Sequence, residues 1–253
     1  MSTLSVTIIT KNEAHTIRRA LESVKWADEI IVLDSGSTDA TLDICREYTA
    51  HVFTTDWPGF GIQKNRALAK ASNEWVLSID ADEEISELLA TEIREAIGGR
   101  SNCNGFCIKR ISNYCGRFIR YGDWSSDHPL RLFKKSRATF TDDSIHERVI
   151  VQGKVGLLKQ TMLHFPFQNL EQVLNKINFY SSKTAELQFS KHKKSSVTKA
   201  MTHASWCFIR GYFFRRGFLD GKEGFLLALS NALGTFYRYT KLLYLNLNTN
   251  KET

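Results

Sequence analysis

The chain has 253 residues, of which 42% are hydrophobic and 24% are charged, with 15 glycines and only 3 prolines. This is the composition of a globular protein, and it excludes a largely disordered, collagen-like or coiled-coil chain. The formal net charge of +7 is unevenly divided, because residues 1–100 carry 10 basic and 17 acidic side chains whereas residues 101–253 carry 24 and 10. The basic second half indicates a phosphate-bearing partner, but charge alone does not distinguish nucleic acid from an anionic membrane or a phosphorylated substrate.

Strands and helices are predicted to alternate along the first hundred residues. The predicted strands are residues 4–10, 29–33, 51–54 and 75–79, and the predicted helices are residues 17–24, 40–48, 62–71 and 86–97. Such alternation is typical of a parallel sheet covered by helices.

The pattern changes beyond residue 100. Further strands are predicted at residues 105–111, 118–123, 130–134 and 145–152. Loops rather than helices separate them, which favours a mixed or antiparallel extension of the sheet. Helices are expected from Asn169 onward, because Asn169 and Gln172 have the spacing of a capping box before an apolar periodic segment.

Targeting signals and cysteine motifs are absent from the sequence. No stretch approaches the roughly 20 consecutive apolar residues of a membrane-spanning helix, and the N-terminus lacks the pattern of a secretory signal. We therefore expect a cytoplasmic protein. The 5 cysteines are an odd number without C-x-x-C spacing, which predicts buried thiols rather than disulfides or a zinc site.

Polar clusters follow three of the predicted parallel strands. They are residues 10–13 (TKNE), the segment that begins at Asp34, and residues 80–82 (DAD). Ligands of open α/β sheets bind at the carboxyl ends of the strands, so we expect these clusters to form the site. The chain has neither a G-x-G-x-x-G fingerprint nor a P-loop, so phosphates must be bound by another device.

Asp80 and Asp82 are the strongest local signal for a metal. Carboxylates two residues apart at a strand end suit Mg²⁺ or Mn²⁺, which bind carboxylate oxygens beside substrate phosphates. The alternative is an acidic helix N-terminus favoured by the helix dipole. Because four carboxylates at residues 80–84 repel one another and a bound cation would remove that repulsion, we favour the metal site.

Three motifs in succession resemble the signatures of the family-2 glycosyltransferases: SVTIITKNE at residues 5–13, DSGSTD at 34–39 and SIDADE at 78–83. The resemblance implies a GT-A fold, an α/β Rossmann-like mixed sheet flanked by helices, here with a helical C-terminal extension. It also implies a UDP-sugar donor and a divalent ion, Mg²⁺ or Mn²⁺, held by the pair Asp80 and Asp82.

The same resemblance assigns donor-binding roles near the strand ends. Thr10, Glu13 and Asp34 match positions around the base and ribose, Asn12 is a further candidate for donor binding, and Asp80 matches a position at the diphosphate. Lys64 and Arg66 follow a glycine-containing loop and are candidates to reach the diphosphate, or this loop is only a flexible connector. Arg131 is a weaker candidate for a phosphate contact, since an arginine in a strand is often solvated.

The second half resembles a subgroup that builds the bacterial lipopolysaccharide core, including the heptose β-1,4-glucosyltransferases. The resemblance rests on HPLRLF at residues 128–133, IHE at 145–147 and LH at 163–164. It implies transfer of a hexose, in the first instance glucose, to a lipid-anchored core oligosaccharide. Other surface-glycan acceptors remain an alternative, because related transferases share these motifs.

Glu147 is the predicted catalytic base, because the family has an acidic pair at this position, although His146 replaces the usual first acid. A base that accepts the proton of the acceptor hydroxyl would give inversion by direct displacement. The alternative for Glu147 is a surface partner of Arg148 or Lys109. Asp127 is the second candidate for the base, or a ligand of acceptor hydroxyls.

His164 resembles the histidine that completes the metal site in some GT-A enzymes. The alternative is a partly buried histidine beside Phe165 and Phe167.

We expect three parts: a nucleotide-sugar-binding half (residues 1–100), an acceptor-side strand region (101–168) and a basic, aromatic helical region (169–253). The last region either packs on the sheet or contacts an anionic membrane, and we expect a combination of both, with peripheral association at the inner membrane. We expect no nucleic-acid partner. A nucleotidyltransferase and a non-catalytic polyanion-binding module are the alternatives to the transferase.

Overall fold

The computed structural model describes residues 2–99, 101–142 and 147–249. The chain divides into two compact units, unit 1 (Met1–Ile111 and Asp127–Phe165) and unit 2 (Ser112–Ser126 and Pro166–Thr253). Each unit is therefore built from two separate stretches of chain. No helix in the described part of the chain combines the length and apolar character needed to cross a bilayer.

The strands are, in chain order, β1 (Leu4–Thr10), β2 (Glu29–Asp34), β3 (Val52–Thr54), β4 (Trp75–Asp80), β5 (Glu83–Ile85), β6 (Cys103–Tyr114), β7 (Arg117–Phe118), β8 (Leu130–Lys134), β9 (Ala138–Phe140), β10 (Val149–Val151) and β11 (Lys154–His164). The α-helices are α1 (Ile17–Val24), α2 (Thr41–Arg46), α3 (Phe60–Lys70), α4 (Glu87–Gly98), α5 (Leu170–Ser190), α6 (Val197–Ile209) and α7 (Gly221–Thr249). A π-helix (Arg210–Phe214) and a short 3-10 helix (Gly217–Asp220) separate α6 from α7.

The main sheet has the strand order β3-β2-β1-β4-β8-β6-β11-β5. β3, β2, β1 and β4 are parallel, whereas β8 runs antiparallel to β4 and β6, and β5 runs antiparallel to β11. β9 and β10 form a separate two-stranded sheet. The mixed sheet with flanking helices and C-terminal helices confirms the predicted fold class.

β1 is buried along its whole length because both faces of the parallel region are covered. Val6 and Ile8 belong to the same hydrophobic core as Ile17 of α1, whereas Ile9, which points to the other face, shares a core with Ala67 of α3. This double coverage explains why β1 is a continuous apolar run without alternation.

The predictions of secondary structure hold best in the first hundred residues, where all four strands and four helices are confirmed. The strand predicted at residues 118–123 is wrong beyond Phe118. There Gly122 has a left-handed φ of 72°, and the backbone N–H groups of Arg120 and Tyr121 donate to the Asp220 carboxylate instead of to a strand. Of the strand predicted at residues 145–152, the described part forms β10, and residues 143–146 lie outside the description. β5, β9 and β11 were not predicted.

Unit 2 has its own core. Tyr114, Ile119, Val173 and Leu227 form a buried cluster, with Trp124 and Phe167 packed against it. The predicted cap of α5 is confirmed in part: the Asn169 side chain accepts from the Gln172 N–H at 2.9 Å. The Gln172 side chain accepts from the N–H of Gln168, one residue before the position that a capping box uses.

Candidate active site

Asp34 ends β2 and organises the turn that follows it. Its buried carboxylate accepts hydrogen bonds from the N–H groups of Gly36 at 2.8 Å and Ser37 at 2.9 Å. An aspartate that binds the backbone two and three residues further along stabilises a turn, and Gly36 supplies the positive φ of 83°. Hydrogen bonds within the protein therefore set the shape of this turn.

The loop after β1 is joined to this turn. The N–H of Asn12 donates to Ser37 Oγ, and its Oδ1 accepts from the N–H of Thr38, both at 2.8 Å. Asn12 has a φ of 55°, in the left-handed region that asparagine tolerates better than most residues. The Glu13 N–H donates to Thr41 Oγ1 at 2.8 Å, and the Glu13 carboxylate accepts from the hydroxyl of Thr16 at 2.7 Å.

Thr10 lies directly opposite Asp34 in the parallel register of β1 and β2. Its side chain is buried, and Oγ1 has no hydrogen-bond partner among the described residues. An unsatisfied buried hydroxyl costs free energy, so it is a position where a polar ligand group would gain a hydrogen bond. Thr10, Asn12, Glu13 and Asp34 are thus brought together at one sheet edge, as predicted.

Asp80, at the end of β4, is held by two cations. Lys64 Nζ lies 2.9 Å from Asp80 Oδ1, and Arg131 Nη2 donates to Asp80 Oδ2. Burial disfavours ionisation of this carboxyl, but the charges of Arg131 and Lys64 outweigh it and hold its pKa well below the usual 3.8. Asp80 is therefore an ionised carboxylate with 30% of its side chain exposed.

A chain of alternating charges runs from Asp80 to Asp127. Arg131 also donates to Glu83, at 2.5 Å, Arg110 Nη1 donates to Glu83 at 2.7 Å, and Arg110 Nε donates to Asp127 at 2.7 Å. Desolvation lowers the pKa of Arg131, but the carboxylates of Asp80 and Glu83 outweigh it and raise that pKa above its usual value. The chain links two predicted site residues, Asp80 and Asp127, through three side chains.

The carboxylates of residues 80–84 are each paired within the protein. Besides Asp80 and Glu83, Glu84 lies 2.8 Å from Arg19, and Asp82 lies 3.2 Å from His164 Nε2. Their repulsion is therefore relieved by the protein's own basic side chains and no longer argues for a bound metal. Arg131 is 7% exposed, so the view of it as a solvated strand residue is wrong.

Asp82 and His164 are the best-placed metal donors. His164 lies opposite Glu83 in the register of β11 and β5, which brings its ring to Asp82. Their donor atoms are 3.2 Å apart, close to the roughly 3.0 Å between adjacent ligands about 2.1 Å from an octahedral ion. No group of three or more histidine, cysteine or acidic side chains converges on one point within residues 2–99, 101–142 and 147–249. The pair offers two of the donors that an ion needs, and any ion bound here would take its remaining ligands from substrate and water.

Glu147 is held at the same place as Asp80. Lys64 Nζ lies 2.9 Å from Glu147 Oε1 as well as 2.9 Å from Asp80 Oδ1, and the Lys64 side chain is only 4% exposed. The partner of Glu147 is thus a buried lysine on α3, and not Arg148 or Lys109. His146, the other residue of this motif, lies outside the described residues.

Asp127, the second candidate for the base, differs from Glu147 in its surroundings. It is 38% exposed and is bound to Arg110, which Glu83 also holds.

Arg66, a candidate for the diphosphate contact, does not join the cluster around Asp80. Its Nη1 lies 2.7 Å from the exposed Asp56 carboxylate. Of the two predicted diphosphate contacts on α3, Lys64 and Arg66, the structure therefore brings only Lys64 to the strand end.

Sequence reasoning missed two members of the charged cluster. Glu83 stands in the SIDADE motif but reads as part of an acidic turn, and Arg110 lies in a predicted strand without a motif of its own. The signal that could have identified these two residues is a charged side chain next to or within a segment that otherwise has the apolar pattern of a buried strand. An ionised side chain in such a strand needs an opposite charge nearby.

Comparison with known proteins agrees with the motifs. The model of the family named Glycosyl transferase family 2 matches residues 5–155. An uncharacterised glycosyltransferase of Rickettsia prowazekii (strain Madrid E) is 35% identical over 98% of this chain and 89% of its own length. The lipopolysaccharide core biosynthesis glycosyltransferase LpsC of Rhizobium meliloti (strain 1021) is 28% identical over 94% of this chain and 91% of its own length.

A solved structure of similar sequence overlaps with this chain only in part. Glucosyl-3-phosphoglycerate synthase from Mycobacterium tuberculosis, in complex with Mn²⁺ and UDP-glucose, is 28% identical over 44% of each chain, with a TM-score of 0.36. The metal and donor in that crystal are properties of that protein. The family match and the full-length relatives are decisive here: the chain belongs to glycosyl transferase family 2 and is a glycosyltransferase.

Proposed function

We propose that the protein transfers a hexose, in the first instance glucose, from a UDP-sugar to a lipopolysaccharide core oligosaccharide, with inversion at the anomeric carbon. The acceptor is anchored by its lipid at the cytoplasmic face of the inner membrane. Support for the acceptor class comes from the relative LpsC, whose name assigns it to lipopolysaccharide core biosynthesis. A related surface glycan is the alternative acceptor.

The donor nucleoside would bind at the edge formed by β1 and β2. The unsatisfied hydroxyl of Thr10 and the prearranged loop of Asn12, Glu13 and Asp34 offer polar groups at the carboxyl ends of parallel strands. Lys64 would contact the diphosphate, because its ammonium lies at the end of β4 between two carboxylates. Arg66 would contribute to diphosphate binding only after its ion pair with Asp56 is broken.

Asp82 and His164 would hold the divalent ion, Mg²⁺ or Mn²⁺, with Asp80 as the second carboxylate of the motif. When bound, such an ion stabilises the negative charge that develops on the departing diphosphate. Asp80 would keep Lys64 and Arg131 in position on the same side of the strand end.

One observation carries the proposed mechanism: Lys64 is shared by Asp80, at the expected donor end of β4, and by Glu147. A diphosphate would compete for this ammonium, and Glu147 would then be available to accept the proton of the acceptor hydroxyl. Asp127 is less suited to the role of base because its partner Arg110 is also fixed by the buried Glu83. We therefore assign Asp127 to acceptor binding.

The test is a transfer assay with several UDP-hexoses and a deacylated, heptose-containing core oligosaccharide, in which the product anomer is determined by NMR. We expect transfer from UDP-glucose with inversion. The Glu147→Gln variant should retain donor-induced thermal stabilisation and lose transfer, since an amide of the same shape can still accept a hydrogen bond from Lys64 but cannot take up the proton. If Asp127→Asn shows this behaviour and Glu147→Gln does not, Asp127 is the base.

The metal assignment is tested by Mn²⁺ binding, which is measured by electron paramagnetic resonance. We expect Asp82→Asn to weaken Mn²⁺ binding by about tenfold or more, because a carboxylate ligand is lost. Asp56→Asn, which changes an exposed aspartate paired with Arg66, is the matched control. Equal Mn²⁺ affinity of the Asp82 variant and the control would contradict the assignment.

A further inference from the structure

The connection between α6 and α7 exposes an unusual number of large apolar side chains. We call residues 206–219 the aromatic tip, since they comprise the end of α6, the π-helix and the following 3-10 helix. Its exposed apolar side chains are Trp206, Ile209, Phe213, Phe214, Phe218 and Leu219. Phe214 is 69% exposed and Phe213 is 55% exposed, so these rings contribute little to the core of unit 2.

The rings of the aromatic tip contact one another in two groups. The rings of Trp206 and Phe214 are 5.7 Å apart, and Tyr212 contacts both Phe213 at 5.0 Å and Phe218 at 6.3 Å. Six exposed apolar side chains within 14 residues, several of them in ring contact, indicate an interaction site rather than the singly scattered exposure of an ordinary surface.

The charged side chains that are exposed to solvent around the aromatic tip are basic. Arg215, Arg216 and Lys222 are exposed, and the Lys222 side chain is 86% exposed. The acidic residues that follow the aromatic tip are withdrawn from solvent: Asp220 is 2% exposed and the Glu223 side chain is 16% exposed. The surface therefore combines aromatic rings with outward-facing cations.

We propose that the aromatic tip inserts into the headgroup region of an anionic lipid bilayer. Aromatic side chains favour the membrane interface, and arginine and lysine beside them bind anionic headgroups. A second copy of the chain fits less well, because a two-fold contact through this patch would bring Arg216 and Lys222 of both copies together, whereas Arg215 is paired with Asp123. The inference draws on the lipid-anchored acceptor of the proposed function, but vesicle binding does not require transfer activity.

The test compares the full-length protein with a Phe213→Ser/Phe214→Ser variant in flotation with vesicles of phosphatidylcholine containing about 30% phosphatidylglycerol. We expect the variant to lose about tenfold or more of the vesicle binding, since two exposed rings are removed. Leu88→Ser is the matched control, because Leu88 is 68% exposed on α4 in unit 1. Circular dichroism melting of each variant confirms that it is folded.

The cationic part is tested with Arg216→Gln/Lys222→Gln, which should bind more weakly and with less dependence on salt and on phosphatidylglycerol. The inference is overturned if the Phe213/Phe214 variant binds vesicles as the unmodified protein does. It is also overturned if the unmodified protein ignores vesicles but forms dimers that the aromatic variant does not form. Transfer to the deacylated, water-soluble acceptor should be unchanged in the aromatic variant. Vesicle binding without any transfer would refute the proposed function and leave this inference intact.

Discussion

Arg131 and Glu83 form the most deeply buried ion pair of the candidate site, with side chains that are 8% and 0% exposed. Removing ions from water is costly, and the cost is recovered only when each charge has a partner and further hydrogen bonds. Arg131 meets this condition by binding Glu83 and Asp80 together, and Glu83 by accepting from Arg110 as well. Loss of one member leaves the others charged and buried.

Arg131→Met is therefore expected to lower the free energy of unfolding by about 3–5 kcal/mol, because Glu83 loses a buried partner. The measurement is urea denaturation. Arg46→Met is the matched control: Arg46 is 61% exposed in its pair with Asp43, and its loss should cost about 1 kcal/mol or less. Similar losses for both variants would show that the cluster contributes no more than a surface pair.

Asp80 should make stability depend on pH. Its folded-state pKa lies below the unfolded value of about 3.8, so its stabilising contribution is complete above that pH and is lost as the pH falls towards the folded pKa. The loss amounts to about 1.4 kcal/mol per pH unit within this window. The difference in unfolding free energy between the native protein and Asp80→Asn should thus be smaller at about pH 3 than at about pH 7. A difference that does not change with pH would contradict the assignment.

Sequence reasoning located the residues of the site better than their partners. The strand-end rule placed Thr10, Asp34 and Asp80 at one edge because parallel strands end together. It could not foresee that Lys64 binds both Asp80 and Glu147, since that contact depends on how α3 packs against the sheet. Pairing between distant segments leaves no local pattern in the sequence.

At the level of elements, the predictions succeed where a segment has a clear period. β1, β2 and β4 are apolar runs that end at polar turns, and each was predicted. β11 was missed because its buried positions, Leu158 and Met162, are four residues apart and do not show a strand-like alternation. β5 was missed because it is three residues long and begins with two glutamates.

α3 is positioned by a close approach at Gly61. A Cβ atom there would lie 1.8 Å from the backbone oxygen of Thr141, so only glycine fits. We expect Gly61→Ala to destabilise the protein by about 1–3 kcal/mol and to reduce transfer, because it displaces the helix that carries Lys64. Thermal denaturation and the transfer assay test this expectation.

The control for Gly61→Ala is Gly98→Ala, at the end of α4. A Cβ atom at Gly98 meets nothing within 4 Å. Alanine is the better helix former, so this variant should be as stable as the native protein or slightly more stable. If Gly98→Ala is as harmful as Gly61→Ala, the close approach at Thr141 is not the cause.

At the level of the whole molecule, the two units are interleaved in sequence. The N–H of Arg110 donates to the backbone oxygen of Asp127 at 2.9 Å, so residues 112–126 extend from the end of a hairpin formed by β6 and β8. These residues pack in unit 2, where Tyr114 and Ile119 share a core with Val173 and Leu227. A single cut cannot separate the units.

A fragment of residues 1–165 is therefore expected to be insoluble, because residues 112–126 would expose Tyr114 and Ile119 without their partners. Replacing residues 112–126 in that fragment by a short Gly-containing turn should restore solubility, since the ends of this segment are already hydrogen-bonded neighbours. Soluble yield and circular dichroism measure both outcomes. Equal solubility of the two fragments would show that the segment does not depend on unit 2.

The strand order has a consequence for how the site is assembled during synthesis. β4 and β5 are joined by only two residues, Ala81 and Asp82, which bridge at most about 10 Å. In a flat sheet, however, the four strand spacings between them would amount to about 19 Å. The sheet must bend round until β5 returns to the end of β4, and β11, which holds β5, completes this bend. On the ribosome, β5 therefore cannot take its place in the sheet until β11, which ends at His164, has emerged.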